Sequence, residues 1–377
     1  MKKYKNLFDQ ITSFENLLFA FYKARERKRN KPNVAAFEAH LERELFRLRD
    51  ELASGTYLPG VYRTFYIREP KLRMISAAPF RDRVVHHAIV RVLEPLFEKT
   101  FVYDSYANRS GKGTHAGIRR CQQYTALYPF VLKCDIQKYF PSIDHAVLKA
   151  LIARKIGCRQ TLDLLHLIID GSNPQEQVSD YYPGDDLFSP LQCRKGLPMG
   201  NLTSQFLANV YLSPLDHFVK ETLRAKGYAR YVDDFVVFSP DKHELHDWKD
   251  QIRHYLAEHL RLTLHWHKSI VQPTAVGVNF LGQRVYPDYR IIHHDGRKRF
   301  WHRLDQQTGR YLQGKLPPAD LEARINAQMG HIKQANTRRM QRRVIDRMMR
   351  AGVNFGLTET GAWRIFPPLL DNGLFEK

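Results

Sequence analysis

The chain reads as an α+β protein of 377 residues. Three observations predict that class. Residues 37–52 and 81–97 carry apolar side chains at helical spacing. The apolar runs 130–134 and 228–238 read as strands, the second folded back on itself about an acidic turn. Beyond about residue 290 the composition becomes strongly basic while keeping helical spacing. Hydrophobic residues make up 43% of the chain, with 19 Tyr and 22 Phe, enough to bury a core in two or three lobes.

The elements follow in order. Met1-Lys2-Lys3-Tyr4-Lys5 leads into Phe8-Asp9-Gln10-Ile11, which is amphipathic and helical and lacks the apolar stretch of a secretory signal. Phe37, Leu41, Leu45, Leu48 and Leu52 share one helical face, and Gly55 ends it. Tyr62 to Arg68 alternates like a strand, followed by the basic turn Glu69-Pro70-Lys71-Leu72-Arg73. After Pro79, the stretch Arg81 to Phe97 carries Val84, Val85, Ala88, Ile89, Val92 and Leu96 on one helical side. Phe130-Val131-Leu132-Lys133-Cys134 reads as a buried strand delivering Asp135 at its end. Residues 171–195 are expected to form a loop, because Gly171, Pro174, Pro183 and Gly184-Asp185-Asp186 break any period. Thr203 to Leu215 resumes a helix, and Tyr228 to Phe238 is strand, tight turn and strand.

Charge narrows the partners. Lys and Arg total 59 against 39 acidic residues, a net +20, with a pI near 9.8. Such an excess suits a polyanion, because Lys and Arg release condensed counterions when they neutralise phosphates. No apolar run of about 18 residues could span a bilayer, so a membrane is not the expected partner. The four cysteines, Cys121, Cys134, Cys158 and Cys193, lie far apart without a CxxC pair, which disfavours a zinc site or a disulfide scaffold. With no export signal, the expected location is cytoplasmic.

The chemistry concentrates in two places. Arg230-Tyr231-Val232-Asp233-Asp234-Phe235-Val236-Val237-Phe238 sets two carboxylates at a turn between apolar strands. Asp suits turns for its own backbone reasons, but a carboxylate drawn into an apolar setting needs a compensating cation. Magnesium accepts one or two carboxylates together with substrate phosphates. Lys133-Cys134-Asp135-Ile136-Gln137-Lys138-Tyr139-Phe140 offers a second strand-end Asp. Two-metal nucleotidyl transfer needs carboxylates from separate strands to bridge ions about 4 Å apart.

With these motifs quoted, the sequence resembles the reverse transcriptase family over roughly residues 60–285. Lys71 and Arg73 resemble the element that grips an incoming triphosphate, and Asp135 to Phe140 the first palm motif. Gly196-Leu197-Pro198-Met199-Gly200-Asn201-Leu202-Thr203-Ser204-Gln205 is similar to the motif that packs nucleotide and template, with Asn201 to Ser204 able to cap the following helix. Tyr231-Val232-Asp233-Asp234 is the motif most diagnostic of the family, Lys268 stands where a later palm lysine lies, and Asn279-Phe280-Leu281-Gly282 resembles the primer grip. The resemblance implies a right-hand polymerase fold: N-terminal helices and fingers over 1–130, a palm with an antiparallel sheet over 131–290, and a basic helical thumb over 291–377. It implies catalysis by Asp135, Asp233 and Asp234, with two Mg2+ (Mn2+ able to substitute) on Asp135, Ile136, Asp233 and Asp234. Nucleotide contacts fall to Lys71, Arg73, Phe140, Gly200, Gln205 and Lys268, with Phe140 crowding a 2′-hydroxyl. Phe280, Leu281 and Gly282 would hold primer, and Arg338, Arg339, Arg342 and Arg343 would bind RNA.

Within the family, Leu197 to Gln205 is similar to diversity-generating retroelement reverse transcriptases, which carry Ser-Gln where many relatives carry Ser-Pro. Leu7 to Leu17, Gly113-Thr114-His115-Ala116-Gly117 and Gly330 to Thr337 look like the same group. No protease, integrase, RNase H or zinc-binding endonuclease is evident, which argues against retroviral and mobile-intron designs. The resemblance implies a noncoding template RNA, an RNA–DNA hybrid and dNTPs as partners, with a small basic accessory protein. The long 171–195 segment and the stretch around 297–325 depart from the group's pattern. A stand-alone antiviral-defence reverse transcriptase would share every catalytic residue, and an idle RNA-binding scaffold is the third reading.

Overall fold

The apolar runs read as strands do pair, and their pairing sets the frame for everything else. The computed structural model describes residues 3–68, 72–333 and 335–366. In chain order the first elements are α1 (Phe8–Thr12), α2 (Phe14–Arg25), α3 (Pro32–Ala39), α4 (Leu41–Ala53), β1 (Arg63–Ile67), β2 (Arg73–Ala77), α5 (Phe80–Glu98) and α6 (Thr114–Leu127). The central part holds β3 (Phe130–Asp135), α7 (Tyr139–Ser142), α8 (His145–Ala153), α9 (Arg159–Asp170), α10 (Ser189–Gln192) and α11 (Leu202–His217). It continues through β4 (Gly227–Tyr231), β5 (Asp234–Ser239), α12 (Lys242–Leu260) and β6 (Ile270–Pro273). The last elements are β7 (Val278–Phe280), β8 (Gln283–Val285), β9 (Arg290–Ile292), α13 (His294–Leu312), α14 (Pro318–Ile332), α15 (Arg338–Arg350), β10 (Phe355–Leu357) and β11 (Trp363–Ile365).

The chain divides into two compact units, one made of residues 1–117 and 130–272, the other of 118–129 and 273–377. In the first, a four-stranded sheet runs in the order β4-β5-β3-β6. β5 pairs antiparallel with both β3 and β4. β3, β4 and β5 are largely buried, whereas β6 at the end of the order is exposed or half-buried throughout. Val131, Leu132, Phe235 and Val237 are fully buried, and so are Val84, Val85, Ala88 and Ile89 of α5 and Tyr211 and Leu212 of α11. β1 and β2 form a separate antiparallel hairpin. Its outer strand is exposed throughout.

The second unit has its own core around Phe300, Leu304, Leu321, Ile325, Met329, Val344, Phe355 and Trp363. Leu281 (φ 50°) and Gly282 (φ 81°) make the two-residue turn between β7 and β8. Two successive positive φ values suit the twist of a tight hairpin. Residues 118–129 join this unit through bonds such as Thr274 Oγ1 donating to the Tyr128 carbonyl at 2.7 Å.

One helix departs from its sequence pattern. The apolar face of residues 37–52 belongs to two helices, because the chain breaks at His40 (φ −126°, ψ 34°). Phe37 and Leu45 remain buried on either side, so a broken axis preserves the stripe. Among the described residues no helix is long and apolar enough to cross a membrane.

Candidate active site

The antiparallel register of β3 and β5 places Asp135 directly opposite Asp234. Directly opposed residues on paired strands stand about 4.5–5.5 Å apart at Cβ. Tyr231 pairs with Asp234 across the β4–β5 hairpin, which leaves Val232 and Asp233 as its two-residue turn. Val232 has φ 57°. A β-branched residue is rarely found there, and such strain persists where the surroundings fix it. Arg230 helps to fix it: its guanidinium is buried, donates to the Val232 carbonyl at 3.0 Å and holds Asp216 through Nε at 2.6 Å and Nη2 at 2.5 Å.

Asp135 and Asp233 line a cavity of about 460 Å³ with Arg73, Phe140, Met199 and Lys268. Lys268 Nζ lies 2.5 Å from Asp135 Oδ2. Lys133 Nζ lies 3.8 Å from Asp234 Oδ1. The Asp233 carboxyl is pushed up to about 6, first by burial and then by the Asp135 charge, while Arg73 and Lys268 pull it back. Two carboxylates therefore repel one another in a cavity that also offers cations.

The remaining expected site residues are distributed as follows. Lys71 lies outside the described residues. Ile136 and Phe140 line the Asp135 cavity, with Phe140 set edge-on against Tyr139. Gly200 and Gln205 line a different, smaller cavity with Lys28, Arg83, His86 and His87. Gly200 has φ 110°, and a Cβ there would stand 3.0 Å from the Ile75 side chain, so close packing against β2 itself requires glycine. Asn201 stands at the N-cap of α11, but its side chain makes no cap bond. It donates instead to the Ser76 carbonyl at 3.0 Å and accepts from the Ala78 N–H at 3.2 Å, tying the loop to the end of β2. Phe280, Leu281 and Gly282 form the end of β7 and its turn in the second unit. Arg338, Arg339, Arg342 and Arg343 are exposed on α15, whose Val344 and Met348 enter that unit's core.

Among the further residues lining the cavity, given no role in the sequence reading, are Lys138, Gln175 and Glu176. Lys138 carried a signal, being a cation three residues past Asp135 and directly before Tyr139-Phe140. Gln175 and Glu176 carried none, since they come from the unpatterned 171–195 segment.

Among the described residues no three His, Cys, Asp or Glu side chains converge as a closed metal cage. The donors fit a hard divalent ion in another way. Magnesium is commonly held by one or two carboxylates and completed by substrate phosphates. A cation between Asp135 and Asp233 would offset the repulsion that raises Asp233.

A strand-end carboxylate set against an acidic hairpin, beside cations suited to a polyphosphate, places the protein among nucleotidyl-transferring polymerases. Residues 67–285, more than half of the chain, match the family described as reverse transcriptase (RNA-dependent DNA polymerase). The chain belongs to that family, the RNA-directed DNA polymerases of right-hand fold. It is similar to Protein YkfC of Escherichia coli (strain K12), 26% identical over 305 residues, covering 69% of this chain and 77% of that protein. It is also similar to the group II intron-encoded protein LtrA of Lactococcus lactis subsp. cremoris, 26% identical over 219 residues, 57% of this chain and 34% of LtrA. The chain thus spans about a third of LtrA's length. Apo telomerase from Candida tropicalis, truncated from its C-terminal domain, aligns over 62% of this chain and 55% of that one, with TM-score 0.45 and 14% identity.

Proposed function

We propose that this reverse transcriptase copies a noncoding template RNA into cDNA by two-metal nucleotidyl transfer, in the setting of a diversity-generating retroelement. The observation that carries the chemistry is the register that sets Asp135 against Asp234, with Asp233 at the adjoining turn. Asp135, Asp233, Asp234 and the Ile136 backbone would hold two Mg2+, or Mn2+ in their place. Ions bound there supply Lewis-acid stabilisation of the attacking hydroxyl and of the leaving phosphates. The chain's own residues do the rest. Arg73, which lines the cavity, would grip the triphosphate, bidentately where geometry allows. Lys268, already on Asp135, can shift toward the pyrophosphate as charge develops there. Phe140 crowds the 2′ position and favours deoxynucleotides. The Phe280–Gly282 turn is assigned to primer, and Arg338, Arg339, Arg342 and Arg343 to the phosphates of the RNA–DNA hybrid.

The retroelement setting rests on the resemblance of Leu197–Gln205, Gly113–Gly117 and Gly330–Thr337 to that group. The test is to sequence RNA and DNA that co-purify with the protein from cells, using Asp233→Asn as control. The expected result is an RNA with matching, Asp233-dependent cDNA substituted mainly at adenines. Faithful or repetitive cDNA, above all if induced by phage, would assign the protein to antiviral defence. Undiminished synthesis by Asp233→Asn would falsify the active-site assignment.

A further inference from the structure

The cavity beside Asp135 contains two lysine–carboxylate pairs, and only one involves a catalytic residue. Lys268 is held by Asp135, as described. Lys138 Nζ lies 2.7 Å from Glu176 Oε1, with the two side chains 43% and 61% exposed. Both residues line the cavity. Lys138 has φ 44°, a left-handed conformation directly before α7. Among the described residues, each lysine lining this cavity is matched to a carboxylate, and a triphosphate must compete for them.

Glu176 is carried by the 171–195 segment, which is anchored on both sides of it. Asn173 Nδ2 donates to Ser76 Oγ at 2.9 Å, at the strand that begins with Arg73. Gln175 Nε2 donates to the Asn173 carbonyl at 2.9 Å. Gln175 also packs over Gly196, where a Cβ would meet its side chain at 2.8 Å. Further along, Asp185 accepts two bonds from Arg261 at 2.6 and 2.9 Å. The backbone on either side of Glu176 is thus tied down, which keeps its exposed carboxylate within reach of Lys138 at the cavity wall.

We propose that Lys138 is a further triphosphate-binding cation, and that Glu176 holds it in reserve until nucleotide displaces the pair. The inference rests on the polymerase reading of this cavity. An exposed ion pair contributes little and exchanges readily. A polyphosphate offers Lys138 more negative charge than one carboxylate does, so the exchange runs toward nucleotide. Glu176 then raises the dNTP concentration needed to fill the site, and it discriminates against anions too weak to take Lys138 from it.

The test is equilibrium binding of a fluorescent (mant) dATP with Mg2+ to the full chain, together with primer extension on an RNA template. Lys138→Gln is expected to weaken dATP binding and raise KM about tenfold, the scale of one charge-assisted hydrogen bond. Glu176→Gln is expected to tighten binding and lower KM by about threefold on the same basis. Both changes fall in KM rather than kcat. In the Lys138→Gln background, Glu176→Gln should have no further effect. Additive effects of the two substitutions, or unchanged Kd and KM in both, would overturn the proposal, provided the variants melt like the parent. Binding and extension separate the two levels of failure. Asp233-dependent extension with unmoved Kd defeats only the role of Lys138. Absence of extension defeats the polymerase reading, while the dATP titration still decides whether Lys138 and Glu176 compete for phosphate.

Discussion

Two ionic clusters lie on opposite sides of one short hairpin, and they differ in nearly everything but their residue types. Behind the turn, Arg230 and Asp216 are both fully buried. Asp216 also accepts from Tyr228 Oη at 2.6 Å, and Arg230 reaches the Val232 carbonyl and, at 3.4 Å, Asn209 Oδ1. In front of the turn, Asp135, Asp233 and Lys268 line an open cavity. The rear cluster is saturated, so its charges can only hold. The front cluster is unsaturated, so its charges can exchange partners. Burial with complete pairing makes an ion pair structural, and incomplete pairing makes it chemical.

The comparison can be broken by substitution. Arg230→Met should cost about 3–5 kcal/mol of unfolding free energy, because Asp216 is left buried without its cation. Lys268→Met should cost less than about 1 kcal/mol in the same denaturant titration, because its pair is half exposed. Equal losses would mean that the front cluster is structural too. Asp233→Asn sharpens the contrast in the opposite direction. Asp233 is held near 6, above the unfolded value near 3.9, so ionising it opposes folding. That cost begins as pH rises past the unfolded value and is complete above about 6. In the absence of divalent ions, Asp233→Asn should therefore raise stability by about 1–3 kcal/mol above pH 6, with the gain fading as pH falls from 6 to 4. A flat pH dependence of the difference would remove Asp233 from its repulsive pairing with Asp135. The smallest effect concerns sugar choice. Phe140→Ala should raise ribonucleotide incorporation by about tenfold, the scale on which pocket shape rejects one small group. Unchanged discrimination in single-nucleotide assays would retire the steric gate.

Motifs with a local cause were legible in the sequence. The strand ending at Asp135 and the hairpin around Asp233-Asp234 announced themselves because apolar runs stop at carboxylates. Helices α5 and α11 followed from their spacing. What could not be read depended on partners distant in sequence. The Asp135–Asp234 register links residues whose pairing no local pattern specifies. The break at His40 left the apolar stripe intact and hence left no trace in the periodicity. Asn201 had the composition of a cap, yet Ser76 offered its side chain a carbonyl and Ala78 an N–H. The 171–195 segment lacked any period, so the four-residue α10 inside it left no trace, and its bond to Arg261, 76 positions from Asp185, and its place in the cavity wall depend on residues distant in sequence. Even the C-terminal hairpin of β10 and β11 was hidden, since three-residue strands are too short to show alternation.

The second unit is not contiguous in the gene. Residues 118–129 are encoded far upstream of the rest of it, which starts at residue 273. A fragment beginning at Pro273 would lack the Tyr128 and Pro129 carbonyls that receive Thr274. It would also lack Gln122, which donates to the Pro287 carbonyl. Recombination at that boundary would therefore deliver a domain missing one of its own walls. Engineered chimeras must therefore carry 118–129 along with any graft of 273–377.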